Sequence, residues 1–199
     1  MPSTVSGWLL AGGQGQRMGG LDKGLQLYQG HPLAHWVIDV LRPQVGWLGI
    51  SANRHQTHYE GLLSARNVWP DDSQWPENSG PLAGILTGLA VAPDDWIMVC
   101  PCDSPNLPAD LVTRLLKAAT AAQADIATPA TFDPDGGERI HWVSSLIHKR
   151  VYPKLVDQFV KGERKVGRFI QSMSWTKVSF DDRSAFANMN TLESLHGRV

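Results

Sequence analysis

The chain has 199 residues, 42% of them hydrophobic, and a formal charge of −1, which fits one globular domain over residues 1–199 with a substantial core. Basic and acidic residues are interspersed, so no basic stripe points to nucleic acid and no polybasic segment to a membrane surface. No run approaches the roughly 18 apolar residues of a spanning helix, and Met1-Pro-Ser-Thr-Val-Ser-Gly7 lacks a charged stretch leading into a long apolar one; the expected location is the cytoplasm and the expected partner is small.

In chain order, residues 7–11 read as an apolar strand running into a glycine-dense segment. Pro32 opens a helix in which Leu33, Trp36, Val37, Val40 and Leu41 recur near helical spacing, ending before Pro43. Residues 47–52 and 67–69 read as strands, and Pro81 opens a helix through Leu82, Ile85, Leu86 and Leu89. A strand over 96–100 precedes a helix from about Pro108 to Ala122, and a further strand follows at 125–129. The polar turn at 133–138 leads to an alternating run, 140–147, expected as one antiparallel strand. Helices over 152–160 and 164–173, a strand over 177–180 and a short helix over 192–197 complete the chain. This alternation predicts a Rossmann-like three-layer α/β/α fold with a mostly parallel sheet, whose ligand crevice lies beyond the carboxyl ends of the strands.

Gly12, Asn53, Asp71 and Asp103 each follow a predicted strand, so they should meet along one edge. Gly12, Gly13, Gly15, Gly19 and Gly20 leave no Cβ in the way and let backbone N–H groups converge on phosphate oxygens. Arg17 supplies a planar fork and Lys23 a compact charge, both suited to a triphosphate. Gly13-x-Gly15-x-x-Met18 misses the last glycine of the dinucleotide fingerprint, and no Gly-Lys-Ser/Thr closes a Walker-type loop. Asp103, stiffened by Pro101 and Pro105, is the candidate carboxylate for magnesium (Mg2+), and the same position also suits a helix cap. Asp71 and Asp72 also read as a surface turn, and Asn188 and Asn190 as Asx turns. Cys100 and Cys102, one residue apart, form neither a redox pair nor half of a completed zinc site and read as reduced structural thiols. His55 and His58 lack a third metal ligand nearby.

The run Leu10-Ala-Gly-Gly-Gln-Gly-Gln-Arg-Met-Gly-Gly-Leu-Asp-Lys23 resembles the opening signature of the molybdenum cofactor guanylyltransferases, within the wider sugar-nucleotide-type nucleotidyltransferases. Ala52-Asn-Arg-His-Gln56, Gly80-Pro-Leu-Ala-Gly84, Cys100-Pro-Cys-Asp103, Gly162-Glu-Arg-Lys-Val166 and Ala187-Asn-Met-Asn-Thr191 recur in that family's order, over nearly the whole chain. The resemblance implies transfer of GMP from Mg-GTP to the terminal phosphate of Mo-molybdopterin. It places the backbone of Leu10, Ala11, Gly12 and Gly13 against the nucleotide, Asn53 and Asp71 near base or ribose, and the turn containing Pro81 and Leu82 against guanine. Arg17, Lys23 and Asp103 are then the catalytic set, with Asp103 as metal ligand; Asp22 is read as orienting Lys23. Asn188 or Asn190 holds the acceptor phosphate or completes the metal shell, and Arg164, Lys165, His141 and Trp142 are acceptor-side candidates. Ser51 stands where asparagine is expected. The resemblance also implies transient contact with molybdenum cofactor-loading proteins and molybdoenzyme chaperones. A cytidylyltransferase, a sugar-phosphate nucleotidyltransferase and a non-catalytic nucleotide-binding scaffold are the competing readings.

Overall fold

The computed structural model describes residues 5–11, 13, 21–76 and 79–189. The first half holds β1 (Val5–Leu10), the hairpin strands β2 (Leu27–Tyr28) and β3 (His31–Pro32), α1 (Leu33–Leu41), β4 (Trp47–Ser51), α2 (Gln56–Leu62) and β5 (Val68–Trp69). Then come α3 (Pro81–Val91), β6 (Trp96–Pro101), α4 (Leu111–Ala122), β7 (Ile126–Phe132), β8 (Glu138–Ile140) and β9 (Leu146–His148). Finally α5 (Tyr152–Val160), α6 (Val166–Gln171) and β10 (Trp175–Ser179) are followed by a 3-10 turn at Arg183–Phe186.

The main sheet runs β10-β7-β9-β6-β1-β4-β5, with β8 beside β7. β1 is parallel to both neighbours, with Leu10 opposite Ser51 on one side and Pro101 on the other. β5 is parallel to β4 and β10 to β7, while β9 lies antiparallel between β6 and β7. The parallel strands therefore present their carboxyl ends along one edge, as the α/β alternation predicts.

Both faces of the sheet are covered because successive strand residues point to opposite sides. Leu9, Met98 and Cys100 pack with α1 and α4, whereas Trp8, Ile97 and Val99 pack with α3, α5 and α6. On α1 the buried positions are Leu33, Ala34, Val37, Ile38 and Leu41, one apolar stripe ended by a 3-10 turn containing Pro43. Trp8 is fully buried and donates from Nε1 to the Gly84 carbonyl at 2.8 Å, which satisfies its one polar atom and ties β1 to α3.

Local pattern places most elements, with bounds that shift by a few residues. The run 140–147 is not one strand. It divides into β8 and β9, both antiparallel, because His141 N–H binds Pro129 O at 2.9 Å and Ser144 N–H turns back to His141 O at 2.9 Å. The β2–β3 hairpin and α2 carry no strong periodicity and are additions to the predicted order. The helix expected at 192–197 lies outside the described residues.

Candidate active site

The ends of four strands, β1, β4, β5 and β6, are laced together along the edge of the sheet. Ala11 N–H donates to Ser51 O at 2.8 Å, Cys102 N–H to Leu10 O at 3.2 Å, and Ala52 N–H to Trp69 O at 2.8 Å. Leu10, Ala11 and Asp103 thus lie at adjoining strand ends, and Gly13 is joined to the loop between β4 and α2 by Arg54, whose Nη2 donates to the Gly13 carbonyl at 3.0 Å. Gly12 and Arg17 lie outside the described residues, as do Gly15, Gly19, Gly20 and Asn190.

Lys23 opens a 3-10 turn (Lys23–Leu25), and its Nζ stands 3.5 Å from Asp103 Oδ2. The Asp103 side chain is only 8% exposed and that of Lys23 26% exposed. Burial raises the Asp103 carboxyl above its ordinary pKa, and the Lys23 charge and hydrogen bond, followed by a backbone bond and Asn188, pull it back down. Asp103 is not simply a helix cap: α4 begins eight residues later, with Asp110 at its cap position. The Asp103 carbonyl accepts Met189 N–H at 2.9 Å, and Ser104 Oγ donates to Asn188 Oδ1 at 3.1 Å, so the segment carrying Asn188 is fastened beside the carboxylate.

This donor set suits a hard cation. Among the described residues no three His, Cys, Asp or Glu side chains converge as a closed metal cage, and magnesium asks for one or two carboxylates with phosphate oxygens and water completing its shell. Cys100 and Cys102 are buried free thiols whose pKa values burial raises, which keeps them protonated.

On the other side of β1, Asn53 and Asp71 bind each other reciprocally. Asn53 Nδ2 donates to Asp71 Oδ2 at 2.8 Å, and Asp71 N–H donates to Asn53 Oδ1 at 2.8 Å. Ser51 Oγ supplies a third bond, to Asp71 Oδ1 at 2.9 Å. The serine at this position therefore orients Asp71, a role that its departure from the expected asparagine concealed. Gly84 completes the corner: a Cβ there would lie 2.8 Å from Leu10 Cδ2, 2.9 Å from Ser51 Oγ and 3.4 Å from Asp71 Oδ1. The absence of a side chain at residue 84 lets the amino end of α3 approach these strand ends without displacing Leu10 or Ser51. Pro81 is exposed at the first turn, while the Leu82 side chain is buried in the core, leaving backbone as what Leu82 can offer a ligand.

The acceptor-side candidates fall on two segments, 141–142 and 164–165, the first of which packs against the start of α6 through Trp142 and Gly167. The Arg164 guanidinium stacks 4.0 Å over Phe159 and donates to Phe159 O and Glu163 O at 2.6 and 2.8 Å, which ties down its own loop. Lys165 is exposed just before α6. Trp142 packs against Trp175, with centroids 5.2 Å apart, and would meet a Cβ on Gly167 at 3.1 Å. His141 stacks on Phe186 at 4.6 Å and bonds Thr131 Oγ1 through Nε2 at 2.9 Å. Burial, reinforced by Arg139, lowers the His141 pKa to about 4, so the ring is neutral at pH 7.

Comparison with known proteins identifies the family and the fold. The family model of the MobA-like NTP transferase domain matches residues 7–178. A molybdenum cofactor guanylyltransferase from Cupriavidus taiwanensis is 44% identical over 191 residues, covering 96% of this chain and 94% of that protein. In the fold, the molybdopterin-guanine dinucleotide biosynthesis protein A of Archaeoglobus fulgidus is similar with a TM-score of 0.73 at 20% identity, covering 96% of this chain and 95% of its own. The 2-C-methyl-D-erythritol 4-phosphate cytidylyltransferase of Thermus thermophilus is similar with a TM-score of 0.72 at 13% identity, covering 95% and 94%.

Proposed function

Because the chain belongs to the family of MobA-like NTP transferases, we propose that it transfers GMP from magnesium-bound GTP to the terminal phosphate of molybdenum-loaded molybdopterin. A phosphate oxygen of the acceptor attacks the α-phosphorus and forms one P–O bond. The bond to the α–β bridging oxygen breaks, and its electron pair leaves with pyrophosphate. The acceptor is already an anionic nucleophile, so alignment and charge neutralisation are the enzyme's main tasks.

The observation that carries this reading is the Lys23–Asp103 pair, 3.5 Å apart where the strand ends converge, in a chain 44% identical to a protein named as a guanylyltransferase. Asp103 would hold magnesium, which when bound neutralises charge on the triphosphate. Lys23 serves the charge that develops as pyrophosphate departs, and Arg17 is assigned to the triphosphate from its place in the glycine segment. The Asn53–Asp71 pair and the backbone around Leu10, Pro81 and Leu82 serve the nucleoside. Backbone carbonyls can accept the N1–H and N2–H₂ donors of guanine, and adenine would leave such acceptors unpaired, a discrimination on the order of 10⁴.

The test is pyrophosphate release with magnesium and each of the four nucleoside triphosphates, with and without Mo-molybdopterin. The expected result is release with GTP that depends on the pterin. Preferential CMP transfer overturns the base assignment. Binding of Mg-GTP with no pyrophosphate from any acceptor would instead favour a scaffold.

A further inference from the structure

Asp22 immediately precedes Lys23 at the cap position of a 3-10 turn, yet its side chain makes no capping hydrogen bond. An aspartate there ordinarily accepts from the first backbone N–H groups of its own turn. Here the carboxylate reaches across the fold instead: Tyr59 Oη donates to Asp22 Oδ1 at 2.5 Å, and His55 Nδ1 lies 3.2 Å from Asp22 Oδ2. The Asp22 carbonyl is occupied as well, accepting from Leu25 N–H at 3.3 Å and Gln26 Nε2 at 2.9 Å. Both Asp22 and Tyr59 are buried, the tyrosine fully.

The residue after Lys23 rests on the same hydroxyl. A Cβ on Gly24 would fall 2.5 Å from Tyr59 Oη and 2.9 Å from Cys102 Sγ, so the backbone is drawn against Tyr59 as closely as a glycine permits. Tyr59 thus contacts the chain on both sides of the lysine, and Cys102 links this contact to Asp103, its neighbour in sequence. Burial above all, with Cys102 and Asp22 adding to it, raises the Tyr59 pKa far above its ordinary value, which keeps the phenol protonated and donating.

We propose that Tyr59 and Asp22 form a positioning pair that fixes the backbone on either side of Lys23 and so holds its ammonium opposite Asp103 before nucleotide binds. This rests on the assignment of Lys23 to the nucleotide site. Neither Tyr59 nor Asp22 need touch a substrate atom: they act through the lysine. Preorganisation of this kind matters because a charge already in place costs no rearrangement at the moment of reaction.

The test is a double-mutant cycle on the full chain, read as pyrophosphate release from Mg-GTP and Mo-molybdopterin, with thermal unfolding as the control for folding. Tyr59→Phe is expected to lower kcat about tenfold, the scale of losing a hydrogen bond to a charged acceptor, with KM for GTP changed less than about twofold. In a Lys23→Ala background the same substitution should change kcat less than about twofold, because the group it positions is gone. A purely structural role would cost the same factor in both backgrounds; that result, or unaltered turnover in folded Tyr59→Phe, overturns the proposal. If Tyr59→Phe does not fold, Asp22→Asn, which keeps the side-chain size, is read in the same cycle by the same criteria. Parent-like turnover in Lys23→Ala alone removes the lysine assignment and the positioning pair together, whereas a large loss there with additive effects removes only the pair.

Discussion

Replacing Lys23 with alanine removes a cation 3.5 Å from the buried carboxylate of the site, and the structure bounds the cost. Two unit charges 3.5 Å apart interact by about 5 kcal/mol at an effective dielectric constant near 20. The lysine side chain is a quarter exposed, so solvent screening reduces that figure. A nucleotide phosphate entering the gap would meet the ammonium in the same environment. Deleting one preorganised donor in such sites costs about 10²–10³ in turnover, or roughly 3–4 kcal/mol, which lies within the bound. Lys23→Ala is therefore expected to lower kcat for pyrophosphate release by about 10²–10³. The substitution also leaves Asp103 buried with less compensation, so the ligand-free protein should lose about 1 kcal/mol of stability, well short of a deeply buried broken pair because Lys23 is partly solvated. Steady-state turnover at saturating Mg-GTP, beside a denaturant melt, separates the two effects. A folded Lys23→Ala protein with turnover within about threefold of the parent would refute the reasoning.

The other perturbations report on neighbouring contacts. Asp71→Ala removes the acceptor shared by Ser51 and Asn53 and should raise KM for GTP about tenfold while changing kcat less, as steady-state kinetics across GTP concentrations will reveal. Gly84→Ala brings a Cβ within 3 Å of Leu10 and Ser51; a cost of about 1 kcal/mol is expected in chemical denaturation, since the Leu10 methyl and the Ser51 hydroxyl that bonds Asp71 must shift. For His141, lowered by burial to about 4, the unfolded chain binds the proton first as pH falls. Its contribution to stability is therefore complete above about pH 6.5 and declines between pH 6.5 and 4, by about 1 kcal/mol after discounting for the partly exposed ring. His141→Gln should flatten that part of the stability profile measured by denaturant melts.

The sheet was legible because its central signals are local. The apolar runs at β1, β4 and β6, and the stripe Leu33, Val37, Leu41 on α1, each specify an element within a few residues, and alternating strands and helices leave few ways to stack them. From that alone follows the expectation that Gly12, Asn53, Asp71 and Asp103 meet along one edge, and Asn53, Asp71 and Asp103, which are among the described residues, do follow adjoining strand ends. Where tertiary contacts decide the path, the pattern misleads: 140–147 alternates like one strand, but after His141 N–H closes the β7–β8 ladder on Pro129 O, the bond from Ser144 N–H to His141 O turns the chain and lets β9 enter between β6 and β7.

The partnerships across that edge were not legible, for a different reason. Asp22 and Tyr59 lie 37 residues apart, and Ser51 and Asp71 lie 20 apart; no periodicity or spacing rule connects such positions. The aspartate before Lys23 reads as orienting that lysine, and only the fold reveals that its carboxylate is committed to Tyr59 and His55. Gly84 within an apolar helix likewise reads as a weak helix former, until Leu10 and Ser51 are seen to occupy the space its side chain would take. Local pattern thus delivers groups able to perform the chemistry to the strand ends. Long-range pairs set their aim, so a variant that preserves every motif but breaks the Tyr59–Asp22 bond should keep the fold and lose rate.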